Sequence, residues 1–205
     1  MSRAPSFAGV ILAAGQSSRM GREKALLPWR GTTILESAIT MLSLECELVI
    51  VVAGENAENL RPTIYSRGAF LAINPAPQNG QLSSLQVGLT TVLDKGRDAA
   101  LVTVIDCPAA EPKTVSLIRL RLLEVLDAGK WSVVPEYAGK HGHPIAVSRE
   151  MIEAFLRAPF TSSARDIQNI HQQRIEYLPV EDPKVILNIN TPEEYQALEK
   201  GVRSE

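Results

Sequence analysis

The chain has 205 residues and a formal net charge of −2, a balance that argues against nucleic acid as its main partner. Its 45% hydrophobic and 21% charged residues are typical of a globular protein, and no run of about 18 apolar residues predicts a membrane span. Its first residues contain no apolar segment long enough to predict a signal peptide, and its two cysteines, Cys46 and Cys107, lack metal-ligand spacing, so a cytoplasmic location is expected. A single domain over residues 1–205 is expected from the length.

Apolar, β-branched runs alternate along the chain with segments of helical periodicity. The strands are predicted, in chain order, at 9–13, 48–53, 70–74, 100–105, 131–135 and 143–147. The helices between them are predicted at 34–44, 83–93 and 113–126. Beyond these the predicted elements are a helix at 163–171, a strand at 174–179 and a helix at 191–200. The alternation predicts an α/β fold of three layers, a mostly parallel sheet with helices on both faces.

The loop after the first predicted strand carries the most specific chemistry of the sequence. It runs from Gly9 through Gly15 to Lys24, and its small residues let backbone N–H groups approach an anion. Arg19 and Lys24 add two cations beyond it, an arrangement suited to a triphosphate. Its spacing matches neither Gly-x-Gly-x-x-Gly nor a P-loop, which excludes those two classes. The purely structural alternative is a tight strand-to-helix turn with solvated basic residues.

Other candidates follow the later strands, because ligands of open parallel sheets gather beyond the carboxyl ends of the strands. Asp106 ends an apolar strand, where a carboxylate is suited to hold Mg²⁺ beside a bound phosphate. The structural alternative is that Asp106 caps a helix or turn. Ser83 and Ser84 begin a helix behind a Pro- and Gly-rich loop, and they either cap that helix or offer hydroxyls to a ligand.

A polar segment precedes the last predicted helix. Thr191 is suited to be its N-cap, Pro192 to be position N1, and Glu194 to complete a capping box. This capping interpretation assigns no role to Asn190. A final strand returning to the sheet would place Asn190 at a strand terminus near Asp106, where its side-chain oxygen would reach the same metal.

Five motifs spread over the chain carry a family resemblance. They are Leu12-Ala-Ala-Gly15-x-Ser-x-Arg19-Met-Gly21-x-x-Lys24, Gly80-x-x-Ser-Ser-Leu-x-x-Gly88, Asp106-x-Pro108, Gly142-His143-Pro144 and Asn190-Thr-Pro-Glu-Glu. Together they resemble the nucleotidyltransferases of the molybdenum-cofactor type, the MobA-like NTP transferases, over roughly residues 8–200. The resemblance implies a Rossmann-like nucleotidyltransferase fold and an enzyme.

The motifs are most similar to the molybdopterin cytidylyltransferase branch. That branch usually has Ala-Ala-Gly where this chain has Ala13-Ala14-Gly15, whereas guanylyltransferase relatives tend to have Gly-Gly, so CTP is favoured over GTP. The chain departs from the branch twice. Asn188-Ile-Asn190 replaces Asp-Ile-Asp, and the expected Gly-Asp-x-Gly-Ala-Arg loop is present only as residues 160–166.

The resemblance implies that CMP is transferred from CTP to the terminal phosphate of molybdenum cofactor (molybdopterin), with release of pyrophosphate. It implies Mg²⁺ on Asp106 with Asn190 as a second contact, and Arg19 and Lys24 as catalytic cations with Asp106. The implied nucleotide-binding residues are Leu12, Ala13, Ala14, Gly15, Arg19, Lys24, Ala53, Asn74, Ser83 and Ser84. His143 is expected to bind the acceptor, because a phosphate nucleophile with a second pKa of about 6 needs no general base.

The expected partners are CTP, the phosphorylated pterin cofactor and a molybdoenzyme that receives the product, with neither nucleic acid nor membrane. Three alternatives remain open at this point. The enzyme uses GTP for guanylyl transfer, it uses another phosphorylated acceptor such as a sugar 1-phosphate, or the protein is a non-catalytic cofactor-binding chaperone. The presence of both Lys24 and Asp106 argues against a pure carrier.

Overall fold

The structure is a computed structural model that describes residues 5–15, 22–107, 109–159 and 161–202. The predicted catalytic residue Arg19 lies outside these ranges. The strands are β1 (Phe7–Leu12), β2 (Pro28–Trp29), β3 (Thr32–Thr33), β4 (Leu48–Ala53), β5 (Phe70–Ile73), β6 (Ala99–Val104), β7 (Ser132–Tyr137), β8 (Lys140–His141), β9 (Ile145–Ser148) and β10 (Ile175–Pro179). The α-helices are α1 (Ile34–Ser43), α2 (Ala57–Ser66), α3 (Gln81–Asp94), α4 (Pro112–Val125), α5 (Arg149–Arg157), α6 (Ala164–Ile170) and α7 (Pro192–Val202).

The main sheet has the strand order β10-β7-β9-β6-β1-β4-β5, with β8 paired to β7. Strands β5, β4, β1 and β6 are parallel neighbours, and β10 is parallel to β7. Strand β9 runs antiparallel to both β6 and β7. The prediction of a mostly parallel sheet is therefore confirmed.

Two separate hydrophobic cores cover the two faces of this sheet. Strand β1 shows the division, since Ile11 and Ala13 belong to the core that includes α1, α2 and α4. The alternate residues Val10 and Leu12 belong to the core of α3 and α5, because successive side chains of a strand point to opposite faces. The three-layer α/β fold is thus confirmed. No helix within the described ranges is both long enough and apolar enough to cross a bilayer.

Helix α3 lies unusually close to the sheet at Gly88. A Cβ atom built there would lie 2.7 Å from Cγ1 of Val10 and 3.0 Å from Cγ2 of Val52. Glycine therefore lets the helix backbone pack directly on β1 and β4. This contact holds the middle of α3 against β1 and β4.

Several elements differ from the sequence-based expectations. Helices α2 and α5, the β2–β3 hairpin and β8 were not predicted, and α2 contains Pro62, a residue that normally indicates a helix end. The prediction of a strand before Asn190 is wrong, because residues 187–190 pair with no strand within the described part of the chain. Instead, Ile189 donates its N–H to the carbonyl oxygen of Asp106 at 2.8 Å.

Candidate active site

The order of the strands creates a crevice between β1 and β6. From β1 the chain continues to β4 and β5 on one side, and it returns to β6 on the other side of β1. Connections that diverge from two neighbouring parallel strands leave a ligand-sized space at their carboxyl ends. A cavity of about 380 Å³ occupies this position, lined by Leu12, Ala14, Gly15, Lys24, Pro77, Gly80, Gln81, Ser84, Val104, Ile105 and Asp106.

Lys24 and Asp106 form an ion pair in this cavity, although 82 positions separate them in the sequence. The Nζ atom of Lys24 lies 2.8 Å from Oδ1 of Asp106. Lys24 is only 7% exposed, and an ammonium group so deeply buried needs a nearby negative charge. The Asp106 side chain is 41% exposed, so its carboxylate remains accessible from the cavity. The site therefore presents a cation and an open carboxylate side by side.

Asn190 reaches the neighbourhood of Asp106 without a strand. The contact of Ile189 with the Asp106 carbonyl positions the segment, and Asn190 itself donates its backbone N–H to Oε2 of Glu194 at 2.6 Å. The predicted capping box is confirmed, since Glu194 N–H donates to Thr191 Oγ1 and Thr191 N–H donates to Glu194 Oε2. The Asn190 side chain is exposed beside the site.

These residues fit a divalent cation that is shared with a phosphate. No group of three or more His, Cys, Asp or Glu side chains within the described ranges is placed to hold a metal alone. Mg²⁺ does not need such a group, because it commonly binds one or two protein oxygens and completes its shell with water and substrate phosphates. In the part of the chain described, Asp106 Oδ1 accepts from Lys24, while Oδ2 has no hydrogen-bond donor. The Asp106 carboxylate is thus suited to such a cation, whereas the Asn190 side chain does not line the cavity and stays a predicted second contact.

Asn74 does not line the cavity but holds Ser84, which does, through a hydrogen bond. It is 3% exposed, and its Nδ2 donates to the hydroxyl oxygens of both Ser83 and Ser84 at 2.9 Å. Its Oδ1 accepts from the Ala76 N–H at 3.0 Å, which closes the loop before α3. Of these residues only Ser84 lines the cavity. The Ser83 hydroxyl donates to the carbonyl of Gly80 at 2.8 Å.

Two other residues of the predicted nucleotide site do not line this cavity. Ala13 and Ala53 are 1% and 0% exposed, and both side chains belong to the core on the opposite face of the sheet. Sequence reasoning also missed Pro77, Gly80, Gln81, Val104 and Ile105, all of which line the cavity. The rule that ligands bind at strand carboxyl ends would have indicated Val104 and Ile105.

A second cavity, of about 590 Å³, lies beside the first. It shares Leu12, Gln81 and Val104 with the first cavity. Its apolar wall consists of Leu85, Val102, Val134, Ile145 and Phe155, and its polar residues are Lys140, His141, His143, Arg165 and Gln168. The predicted acceptor-binding residue His143 therefore lies in this second cavity and apart from the Lys24–Asp106 pair.

His143 is held by the backbone on two sides. Its N–H donates to the carbonyl of Val185 at 2.8 Å, and its Nδ1 lies 3.5 Å from the carbonyl oxygen of Val102. Burial lowers the pKa of the His143 imidazole below its usual value, and the Val102 carbonyl opposes this only in part. The ring is consequently neutral at pH 7 and offers a hydrogen bond rather than a positive charge.

This lowered pKa makes the stability of the protein depend on pH. The unfolded chain binds a proton at His143 more readily than the folded one, so stability rises with pH through the window below about 6.5 and is lost as the pH falls through it. Urea unfolding at pH 7 and pH 5 is expected to show a smaller pH dependence for His143→Gln than for the wild type. A matched change at exposed His141, His141→Gln, serves as the control. An equal pH dependence in His143→Gln and the wild type would contradict the assignment.

The fold and the site define an α/β protein with a cavity, lined by Lys24 and Asp106, at the switch point of its sheet. The family described as "MobA-like NTP transferase domain" matches residues 9–176 of the chain. The chain belongs to this family of nucleotidyltransferases, which confirms the resemblance in the sequence.

Curated relatives carry more than one activity in their names. The chain is 28% identical to molybdenum cofactor cytidylyltransferase of Escherichia coli (strain K12) over 189 residues, 91% of this chain and 92% of the relative. It is 29% identical to the protein named "Probable molybdenum cofactor guanylyltransferase" of Mycobacterium ulcerans (strain Agy99), over 93% of this chain and 92% of the relative. It is 33% identical to nicotine blue oxidoreductase of Paenarthrobacter nicotinovorans over 147 residues, 70% of this chain and 71% of the relative.

A solved structure of similar fold contains a metal. The crystal structure of Rv0371C in complex with manganese, from Mycobacterium tuberculosis H37Rv, superposes with a TM-score of 0.74 at 26% identity. The similarity covers 95% of this chain and 98% of that one.

Proposed function

We propose that this protein transfers a nucleotidyl group from an NTP, with CTP favoured, to the terminal phosphate of molybdenum cofactor, and that a molybdoenzyme receives the product. The observation that carries the proposal is the Lys24–Asp106 pair, at 2.8 Å, in a cavity that adjoins a second, larger one. One cavity suits the NTP and the other the acceptor. Leu12 and Val104, which line both, lie at the boundary where the two substrates would meet.

The reaction needs positioning and charge neutralisation more than covalent chemistry from the protein. An oxygen of the acceptor phosphate forms a bond to the α-phosphorus, the bond from that phosphorus to the bridging oxygen breaks, and pyrophosphate leaves. Lys24 holds a fixed positive charge beside the phosphates, and Arg19 is proposed to add a second. Asp106, with Asn190 beside it, would hold Mg²⁺, which supplies charge neutralisation at the phosphates.

No side chain has to remove a proton from the nucleophile. A terminal phosphate is largely ionised at neutral pH because its second pKa is about 6. The His143 ring, whose pKa is lowered by burial, is a neutral hydrogen-bonding group at pH 7. His143 is therefore proposed to orient the acceptor through a hydrogen bond.

The walls of the second cavity favour a ring system as the acceptor. The buried Val102, Ile145 and Phe155 provide an apolar surface that would pack against a flat heterocycle better than against a hydroxylated sugar. Exposed Lys140 and Arg165 line the same cavity and would neutralise an acceptor phosphate. A phosphorylated pterin combines both features.

Pyrophosphate release measured over an acceptor and nucleotide panel tests this function. The purified protein with Mg²⁺ is supplied with CTP or GTP, and with molybdenum cofactor or a hexose 1-phosphate. We expect pyrophosphate only when the cofactor is present, and faster with CTP than with GTP. If pyrophosphate were released with the hexose 1-phosphate and not with molybdenum cofactor, the proposed acceptor would be wrong. If pyrophosphate were released faster with GTP than with CTP, the proposed nucleotide preference would be wrong.

The preference for CTP is proposed to depend on Ala14 rather than Ala13. Only Ala14 lines the nucleotide cavity, whereas the Ala13 side chain is buried in the other core. Ala14→Gly would enlarge the cavity, and we expect the ratio of kcat/KM for CTP over GTP to fall by about 10-fold, the usual effect of one methyl group in a pocket. Ala13→Gly is the matched control and should leave the ratio unchanged. Equal ratios in wild type and Ala14→Gly would exclude this origin of specificity.

A further inference from the structure

Gln81 is the one polar residue among the three that line both cavities. The other two, Leu12 and Val104, are apolar and lie at the carboxyl ends of β1 and β6. The Gln81 side chain is exposed, and it forms no hydrogen bond or ion pair with the part of the chain that the structure describes. Its amide is therefore available to a ligand at the boundary between the two cavities.

The geometry of α3 places this amide at the boundary. Gln81 is the first residue of the helix, and residues three and four positions later lie on the same helical face. Ser84, three positions on, lines the nucleotide cavity, whereas Leu85, four positions on, lines the second cavity. Gln81 lies one turn earlier on the face that separates the two spaces. The close packing of Gly88 on β1 holds this face against the sheet.

We infer that Gln81 bridges the two substrates by donating hydrogen bonds from its side-chain amide to the α-phosphate and to the attacking acceptor phosphate. The assignment rests on the proposed function and names a residue of that same site. Two phosphates must approach each other there, and they repel. An amide nitrogen has two N–H donors, so Gln81 can bind one oxygen on each phosphate without taking up a proton. These hydrogen bonds strengthen as the two groups approach, which lowers the barrier.

Three substitutions test this role, each measured for kcat, for KM of both substrates and for nucleotide affinity by calorimetry. Gln81→Met keeps the length of the side chain but removes both donors, and we expect kcat to fall about 10²-fold, the effect of losing a donor to developing charge. Gln81→Glu places a negative charge beside two phosphates and should lower kcat further. Gln78→Met changes the same residue type in the preceding turn, where it lines neither cavity, and should leave kcat unchanged.

The outcomes separate this role from the proposed function. If wild type transfers the nucleotide and Gln81→Met retains kcat within about threefold of it, the role of Gln81 is wrong while the function stands. A loss confined to nucleotide affinity would also overturn the bridging role, because a bridge between substrates acts mainly on kcat. If kcat of Gln81→Glu were higher than kcat of Gln81→Met, the Gln81 side chain could not lie between two phosphates, because they would repel the carboxylate. The bridging role would then be wrong. Absence of transfer by wild type would overturn both proposals.

Discussion

Replacing Asp106 with asparagine is expected to lower kcat for nucleotidyl transfer by about 10³-fold, at the upper end of losses seen when one charge-stabilising group is removed. The amide keeps the size of the side chain but loses the negative charge that holds Lys24 and would hold the metal. Pyrophosphate release under saturating substrates measures the loss. The proposed site would be wrong if Asp106→Asn retained more than about a tenth of wild-type kcat.

A second aspartate of the same strand region provides a matched control. Asp98 precedes β6 at its other end, pairs with Arg149 at 3.0 Å, and has a side chain that is 39% exposed, close to the 41% of Asp106. Asp98→Asn makes the same substitution at an ion-paired aspartate of similar exposure, at the opposite end of β6 from Asp106. Its kcat should equal that of wild type, which would show that the loss in Asp106→Asn comes from its position.

Gly88→Ala is expected to destabilise the protein by about 1–3 kcal/mol, the usual cost of overpacking a well-packed contact. The added Cβ would lie 2.7 Å from Val10 Cγ1, so α3 would have to move away from β1. Helix propensity alone predicts the opposite sign, since alanine is favoured over glycine by about 1 kcal/mol inside a helix. Urea unfolding of wild type and Gly88→Ala measures the sign of the change in the free energy of unfolding.

Two further variants establish that the contact with β1 is the cause. Thr90→Ala changes an exposed position of the same helix and should alter the free energy of unfolding by less than about 0.5 kcal/mol. Val10→Ala removes Cγ1, the nearer of the two methyl groups that the new Cβ would meet, so the double variant should lose less stability than the sum of the single ones. Strict additivity would mean that Gly88 acts through something other than this contact.

The fold could be predicted largely from local patterns. Strand β4 has the predicted bounds, β5 and α1 differ by one residue at one end, and β6 is shifted by one residue, because each is a continuous apolar run or stripe in the sequence. Helix α2 was missed because Pro62 interrupts it and its buried stripe is short, comprising Ala57, Leu60 and Ile64. Tertiary packing of that stripe on the sheet outweighs the local preference.

The site was predicted less completely, because long-range pairing decides it. The spacing of Lys24 and Asp106 in the sequence does not indicate that the two side chains meet; the placement of β6 next to β1 does. Asn74 resembled a ligand contact in the sequence, but the structure uses its side chain to hold Ser83 and Ser84. Polar residues after a strand serve either purpose, and only the hydrogen-bond partners distinguish the two.

The two alanines of the opening loop illustrate the same limit. The sequence treats Ala13 and Ala14 as one motif, yet adjacent residues leaving a strand point to opposite sides. Ala14 therefore lines the cavity while Ala13 is buried behind it. A motif read as a unit thus contains one residue suited to contact the nucleotide and one suited to support the sheet.

Transfer of label from CTP tests the central claim most directly. Wild-type protein is incubated with Mg²⁺, molybdenum cofactor and CTP labelled at the α-phosphate, with Asp106→Asn and a reaction lacking the cofactor as controls. We expect one equivalent of label in the cofactor for each pyrophosphate released. In the two controls we expect neither labelled cofactor nor released pyrophosphate. Label that stays in CTP, or is released as CMP without entering the cofactor, would contradict nucleotidyl transfer to this acceptor.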